Sequence, residues 1–378
     1  MPATLHLPLA SPAPGTERHL TLHRFGKPGA RPKAYFQAAL HADELPGVLV
    51  LQHLLALLAS AEREGRLKGE VLIVPAANPI GLAQTVHGRL LGRYGLDASG
   101  NFNRGFPDLS DGLVEALRNR LGRDAAANAT LVRTTLLTLL SEKKALGEAP
   151  QLRLTLMRLA IDADIALDLH CDDQALLHIY AGPKLWPEIS DLAALLGAAA
   201  VLLEEDSGGE PFDEALARPW WRLIDANPGA ALSAAAMITG TVELRGRADI
   251  DDAQARKDAQ ALLAFLVRRG VVAGDAGALP PLSCQGTALD AVDFVKAPHA
   301  GLLVQKRALG ERVRAGDVVA EIVEPMAASG AGRTQLLART EGVVFTRAMP
   351  GLVRAGKRVM KIAGKEKLEQ TDATLLGD

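Results

Sequence analysis

Between residues 33 and 75 the hydrophobic period of the chain changes twice, and that succession of periods is compatible with few folds. Lys33 to Leu40 reads as a strand that ends on His41. From Val48 the apolar positions Leu51, Leu54, Leu55 and Leu58 recur at helical spacing, up to the polar stop Glu62-Arg63-Glu64-Gly65. Val71 to Val74 is then a continuous apolar run of the kind a strand buried on both faces requires, ended by Pro75 and followed by a turn at Asn78-Pro79-Ile80-Gly81. Strand, helix, strand in this order is the βαβ signature of an α/β fold whose sheet carries helices on both faces. An earlier strand is expected at His19 to Phe25. In such sheets ligands gather at the carboxyl ends of the strands, which is where His41 lies.

The tetrapeptide His41-Ala42-Asp43-Glu44 gives that position a chemistry. A histidine and a glutamate at this spacing can aim a ring nitrogen and a carboxylate oxygen at one point, while Asp43 faces away as a turn residue. Zinc takes nitrogen at about 2.0–2.1 Å and carboxylate oxygen at about 2.0–2.2 Å, so the pair suits it. Two later β runs end comparably. Ile165 to His170 finishes on a second histidine at the same sheet edge, and Ile238 to Leu244 carries Glu243 where burial of an acid needs a partner or a job. Residues 86 to 110 form a polar loop too long for a plain connection, with Gly92-Arg93-Tyr94 and Asn101-Phe102-Asn103-Arg104-Gly105-Phe106-Pro107 inside it. Residues 111 to 160 read as a helical packing insertion, and Asp249 is expected to cap a helix reaching Arg269.

Charge and cysteine content narrow the chemistry further. Lys plus Arg number 42 against 44 Asp plus Glu, so nothing in the net charge of -2 attracts nucleic acid or an anionic membrane, and a small-molecule or peptide substrate fits better. The start MPATLHLPLASPAPG has neither a basic region nor a sustained apolar run, and no stretch approaches the ~20 apolar residues of a membrane span; a soluble, cytoplasmic protein is expected. Cys171 and Cys284 are too few for a disulfide framework and have no paired spacing for zinc thiolates, which leaves any metal to histidine and carboxylate.

The set His41/Glu44, Arg93, Asn103-Arg104, His170 and Glu243, in this order, resembles the succinylglutamate desuccinylase/aspartoacylase family of the zinc carboxypeptidase superfamily, over nearly the whole chain. The resemblance implies a mixed central sheet with helices on both faces, and a zinc ion held by His41, Glu44 and His170. It further implies that Asn103 and Arg104 hold a substrate carboxylate, that Arg93 polarises the scissile carbonyl, and that Glu243 is the general base. Asn101 and Phe102 stand where the family usually has Asp and an aliphatic residue, and Cys171-Asp172-Asp173 replaces the usual short polar residues after the third ligand.

Other residues border this set. Asp168 is placed to orient a ligand imidazole or simply to bond at a strand end, and Cys171 reads as a small buried residue rather than a donor. Asp172, Asp173 and His178 offer a second ligand set if His170 and His178 share one extended strand. Glu204-Glu205-Asp206-Ser207-Gly208-Gly209 is an acidic turn, Trp220-Trp221 is packing, and Arg245 is a specificity residue or a surface ion pair.

Beyond Pro280-Pro281 an internal repeat appears, Gly301 to Glu321 and Gly342 to Lys361, each with a Val-Arg-Ala-Gly hairpin. Two such copies resemble the barrel-sandwich module of biotinyl and lipoyl domains, without the modified lysine, so the module is read as structural: a wall of the site or a contact in a homo-oligomer. The expected organisation is a catalytic domain at 1–272, a linker at 273–286, a small all-β barrel-sandwich domain at 287–364 and a polar tail at 365–378. The resulting expectation is a zinc-dependent amidohydrolase acting on an N-acyl amino acid or peptide-like substrate bearing a carboxylate. The alternatives are a non-catalytic metal- or ligand-binding protein that keeps the fold, and a carrier organised by its carboxyl-terminal module.

Overall fold

The alternation of apolar residues along each strand sends side chains to two opposite faces, and both faces are covered. The computed structural model describes residues 3–328 and 331–369, so the part of the tail expected at 365–378 that runs from 370 onward lies outside the described residues. Its centre is a nine-stranded sheet: β1 Ala3–Pro8, β2 His19–Phe25, β3 Lys33–Ala38, β4 Glu70–Val74, β5 Ile165–Asp172, β6 His178–Ala181, β7 Ala200–Leu203, β8 Ile238–Gly246 and β9 Gly286–Ala288, in spatial order β1-β2-β4-β3-β5-β8-β6-β7-β9. The middle strands β4, β3, β5 and β8 are parallel, whereas β2 and β6 run antiparallel to their neighbours β4 and β8, giving the mixed sheet expected.

Helices α1 Pro46–Arg63, α2 Pro79–Leu82, α3 Ser110–Ala116, α4 Ala125–Glu142, α5 Glu148–Ala160, α6 Trp186–Leu196, α7 Phe212–Ala226 and α8 Asp252–Arg268 flank it. Phe36, Leu167 and Leu169 point to one face with α1, α6 and α8, while Tyr35 and Ala166 point to the other with α3, α4, α5 and α7. Phe36 and Leu167 are wholly buried; cutting either back to alanine would cost about 3–5 kcal/mol.

The structure revises several local expectations. Strand β3 stops at Ala38 because Ala39 turns to φ 55°, so the chain leaves the sheet before His41. Asn78 does not sit in a simple turn: its side chain accepts from the Gly81 amide and caps α2. The cap of α8 is Asp251, which accepts from the Gln254 amide, whereas Asp249 accepts from Gly246 and closes the turn after β8. His170 and His178 lie on different strands, β5 and β6, with β8 between them.

The repeat folds into two sheets in which each copy completes the other. The short strand Arg312–Val313 of the first copy pairs with Gly342–Arg347 of the second, and Leu352–Val353 of the second pairs with Gly301–Gln305 of the first. Val319, Ile322, Val344, Val359 and Ile362 form its own buried core. Two seams join it to the main body: β9 extends the large sheet beside β7, and Gln174-Ala175 pairs with Thr346-Arg347. Among the described residues, no helix is long and apolar enough to cross a membrane.

Candidate active site

Strand register places the reactive side chains. Asp168 and His170 are two apart on β5 and share one face; Thr241 and Glu243 do the same on β8, and the pairing Thr241↔Asp168, Glu243↔His170 sets them side by side. The next strand continues both rows with Tyr180↔Thr241 and His178↔Glu243. His41 and Glu44 reach the same place from the turn after β3, closed by the Glu44 amide donating to the His41 carbonyl at 3.0 Å. Gly92 is required here: a Cβ on it would lie 2.4 Å from the Asp43 nitrogen, and only its absence lets the 92–93 segment cross this turn and deliver Arg93.

The donor atoms of His41, Glu44 and His170 all lie within 4.8 Å of one another, and all three residues are buried. The Nδ1 atoms of His41 and His170 face the two Glu44 carboxylate oxygens at 3.0 and 2.8 Å. Their other ring nitrogens face acceptors, His41 Nε2 donating to Asn101 Oδ1 at 2.8 Å and His170 Nε2 to Asp168 Oδ2 at 2.9 Å. With each Nε2 held as a donor, Nδ1 is the nitrogen each ring turns toward Glu44 and would present to a metal once deprotonated. Two imidazole nitrogens and one carboxylate are a donor set that fits zinc. Burial works against protonation of His170, but Asp168 and Glu44 outweigh it and raise its pKa well above the usual histidine range. Burial also opposes ionisation of Glu44, yet His41 and His170 hold it well below the usual carboxylate range.

Glu243 and Arg93 flank this group. Arg93 Nη1 donates to Glu44 Oε1 at 3.1 Å. Burial and then Glu44 push the Glu243 carboxyl up to about 8; a cation bound between the histidines would act in the opposite direction. Glu243 Oε2 is buried and has no hydrogen-bond partner among the described residues. Glu243 faces a cavity that Arg93, Asn103 and Arg104 also line.

Asn103 is buried and Arg104 is half-buried, less enclosed than a carboxylate clamp read from sequence would suggest. Asn103 Oδ1 accepts from the Phe212 amide at 2.9 Å, which anchors the start of α7 to the 101–107 loop. Arg104 Nη1 donates to the Asn103 carbonyl at 2.7 Å.

The remaining sequence candidates fall outside the metal-ligand group. Arg245 pairs with Asp258 on α8, and Asp43 pairs with Arg247. Asp172 is held by Lys361 Nζ at 2.7 Å, and His178 Nδ1 donates to the Leu176 carbonyl, so the second ligand set does not assemble. Burial pushes the Cys171 thiol far up, which leaves it a neutral core residue. Trp220 and Trp221 are buried in packing, and Trp221 also lines the cavity.

Five contributors were not legible as site residues: Asn101 as the acceptor behind His41, Asp213 and Glu214 at the start of α7, and Lys361 and Arg358 from the repeat. Lys361 Nζ also reaches Tyr180 Oη at 3.3 Å. For Asp213 and Glu214 a signal existed, two consecutive acids opening an apolar helix pattern; for Lys361 none did.

Residues 30–136 match the family model described as the succinylglutamate desuccinylase/aspartoacylase catalytic domain. A relative from Halomonas elongata, an N-alpha-acetyl-L-2,4-diaminobutyric acid deacetylase, is 26% identical over 345 residues, covering 89% of this chain and 83% of its own length. A solved structure from Shewanella amazonensis, described as a succinylglutamate desuccinylase/aspartoacylase family protein, superimposes with a TM-score of 0.84 at 27% identity over 97% of this chain and 100% of that one. A second, from Shewanella frigidimarina, gives 0.83 at 25% identity over 96% and 97%.

Proposed function

Because residues 30–136 match the succinylglutamate desuccinylase/aspartoacylase catalytic domain and the whole chain superimposes on a protein described as one of that family, we propose that it is a zinc-dependent amidohydrolase that cleaves the amide bond of an N-acyl amino acid carrying a free carboxylate. The observation that carries this reading is the convergence of His41, Glu44 and His170, each with its donor atom turned inward, one strand from the buried acid Glu243. The name of the Halomonas relative supports the acyl amino acid part.

Zinc, when bound, supplies a Lewis acid that brings the pKa of water from about 15.7 to ~7. The residues of the chain do the rest. Asn101 and Asp168 fix the two imidazole rings, and Glu243 takes a proton from the attacking water. Water oxygen bonds to the carbonyl carbon, the carbon–nitrogen bond breaks, and Glu243 passes the proton to the leaving amine. Arg93 donates to the carbonyl oxygen as negative charge grows there. Arg104 offers a planar pair of donors to the substrate carboxylate, with the Asn103 amide beside it.

The test is a panel of N-acylated amino acids and short peptides, each supplied as free acid and as carboxamide, with amine release as the readout. Cleavage confined largely to the acids is the expected result, because an amide leaves the Arg104 donors poorly paired. Equal cleavage of both forms would remove Arg104 from carboxylate reading.

A further inference from the structure

Hydrogen-bond arithmetic leaves one phenol of the cavity with a hydrogen to give. Lys361, on the last strand of the repeat, Arg358–Ala363, reaches the cavity and sets its ammonium against two oxygens, Asp172 Oδ2 at 2.7 Å and Tyr180 Oη at 3.3 Å. An ammonium has three hydrogens and no lone pair, so the Tyr180 oxygen accepts from it and the phenolic hydrogen is directed elsewhere. Among the described residues no group accepts that hydrogen, and Tyr180 lines the cavity.

The phenol is held from several sides. On β6, Tyr180 pairs with Thr241 of β8, one row away from the row that carries Glu243 and His170. The His178 ring packs edge-on against it, with centroids 5.4 Å apart, and Lys361 Nζ lies 5.9 Å from its own centroid. Asp172 fixes the ammonium and balances its charge. Burial raises the Tyr180 pKa above the usual tyrosine value, against the opposite pull of Lys361, so the hydroxyl keeps its hydrogen at neutral pH and is a donor rather than a phenolate. The ammonium on its acceptor side polarises the O–H bond and strengthens that donor.

The surroundings are apolar. Leu202, which pairs with Tyr180 across β6 and β7, lines the cavity with Ala181, Gly182 and Leu289. Trp221 closes the wall behind Gly182 so tightly that a Cβ there would lie 2.1 Å from the indole ring. A ligand that fills this part of the cavity with an alkyl group leaves the Tyr180 donor buried and unpaired, whereas one that brings an oxygen there satisfies it.

Resting on the reading of the site as an N-acyl amino acid amidohydrolase, we propose that Tyr180 is a specificity-determining residue whose hydroxyl donates to a substrate oxygen beyond the scissile amide, and that Lys361 of the repeat is a positioning residue acting through it. The chemistry recognised is an oxygen acceptor, carried either by the acyl group or by the side chain of the leaving amino acid. The repeat thereby takes part in substrate choice through one hydrogen bond, without touching the reacting atoms.

The experiment uses two pairs of substrates that differ only by oxygen for methylene: N-methoxyacetylalanine against N-butyrylalanine for the acyl group, and N-acetyl-O-methylserine against N-acetylnorvaline for the amino acid. In wild type the oxygen member of one pair should have the higher kcat/KM, on the order of tenfold, and the pair that shows it tells which part of the substrate meets Tyr180. Tyr180→Phe should bring that ratio close to one. Lys361→Met should lower it in wild type, Lys361→Arg should restore much of it, and Lys361→Met should lower it no further in the Tyr180→Phe background, where a purely structural lysine would still act. These lysine variants decide the matter if Tyr180→Phe fails to fold. Equal rates within both pairs, or a ratio indifferent to Tyr180→Phe, overturn the proposal and leave the amidohydrolase reading standing. If no N-acyl amino acid is cleaved, that reading fails and calorimetry with free methoxyacetate, butyrate, O-methylserine and norvaline decides: tighter binding of an oxygen member by wild type but not by Tyr180→Phe supports the proposal, and equal binding or none overturns it.

Discussion

The two walls of the cavity are built in different ways. On the wall to which the chemistry is assigned by proposal, His170 and Glu243 sit on neighbouring strands in fixed register, and the imidazoles of His41 and His170 each have a partner on both nitrogens. On the wall that holds Arg104, to which recognition is assigned by proposal, Asp213 and Glu214 open a helix whose approach is a loop with positive φ at Gly208, Gly209 and Glu210. The first wall is over-determined by sheet geometry and the second is set by a loop that insertion or substitution can reshape. The first wall is thus held by the fold, whereas the second hangs on one segment, residues 204–214.

Breaking the chemical wall should have the largest effect. Glu243→Gln removes the proton carrier without touching the His41, Glu44 and His170 donors, so turnover should fall on the order of 10²–10⁴-fold at unchanged metal content, measured by steady-state kinetics beside elemental analysis. Equal rates would pass the role to another residue and revive the reading of the chain as a binder that keeps the fold.

A cut at the seam between the main body and the repeat comes next. Lys361→Met leaves the half-buried Asp172 without its cation, and the loss of one partner from such a pair costs about 2 kcal/mol, read as a lower denaturation midpoint in urea. An unchanged midpoint would make the repeat an appendage rather than a wall of the site.

On the recognition wall, Arg104→Ala should lower kcat/KM for free-acid substrates on the order of 10–100-fold and shrink their advantage over the carboxamides. A uniform loss on acids and amides would assign Arg104 to loop structure, through its bond to the Asn103 carbonyl.

The smallest effect is on acid stability. His178, wholly buried between Tyr180 and Phe345, has its pKa lowered to about 4 by burial and then by Lys361. An unfolded chain protonates this ring near 6.5 and the folded chain only near 4, so its contribution is fully present above 6.5 and is lost as pH falls through that window. Between pH 7 and 5.5 the loss is about 1 kcal/mol. Urea midpoints at both pH values for wild type and His178→Phe would show it as a change toward lower stability at pH 5.5 that is larger by that amount in wild type than in the variant.

The chemical wall was also the more legible one. Ile165 to His170 and Ile238 to Leu244 announce themselves as buried strands by apolar runs, and a polar residue interrupting such a run is a conspicuous event. His41 and Glu44 carry their spacing in four residues. The recognition wall is not encoded locally: Asp213 and Glu214 resemble ordinary acids in the first turn of a helix, where the dipole favours them. Only the tertiary fold shows both to be buried. Lys361 comes from a repeat far along the chain, and its alternating pattern shows a strand but cannot show which strand of another sheet it will face. The cap of α8 lies two residues beyond the one the sequence suggests, because Asp249 and Asp251 are equally good caps by residue type and the turn after β8 takes the first.

The account depends most on the metal. Purified protein equilibrated with zinc and freed of excess by gel filtration should carry about one zinc per chain by elemental analysis, and the double variant His41→Ala, His170→Ala should carry close to none. Metal content unchanged in the double variant, or absent from the wild type, would contradict the assignment of His41, Glu44 and His170 and with it the proposed hydrolysis.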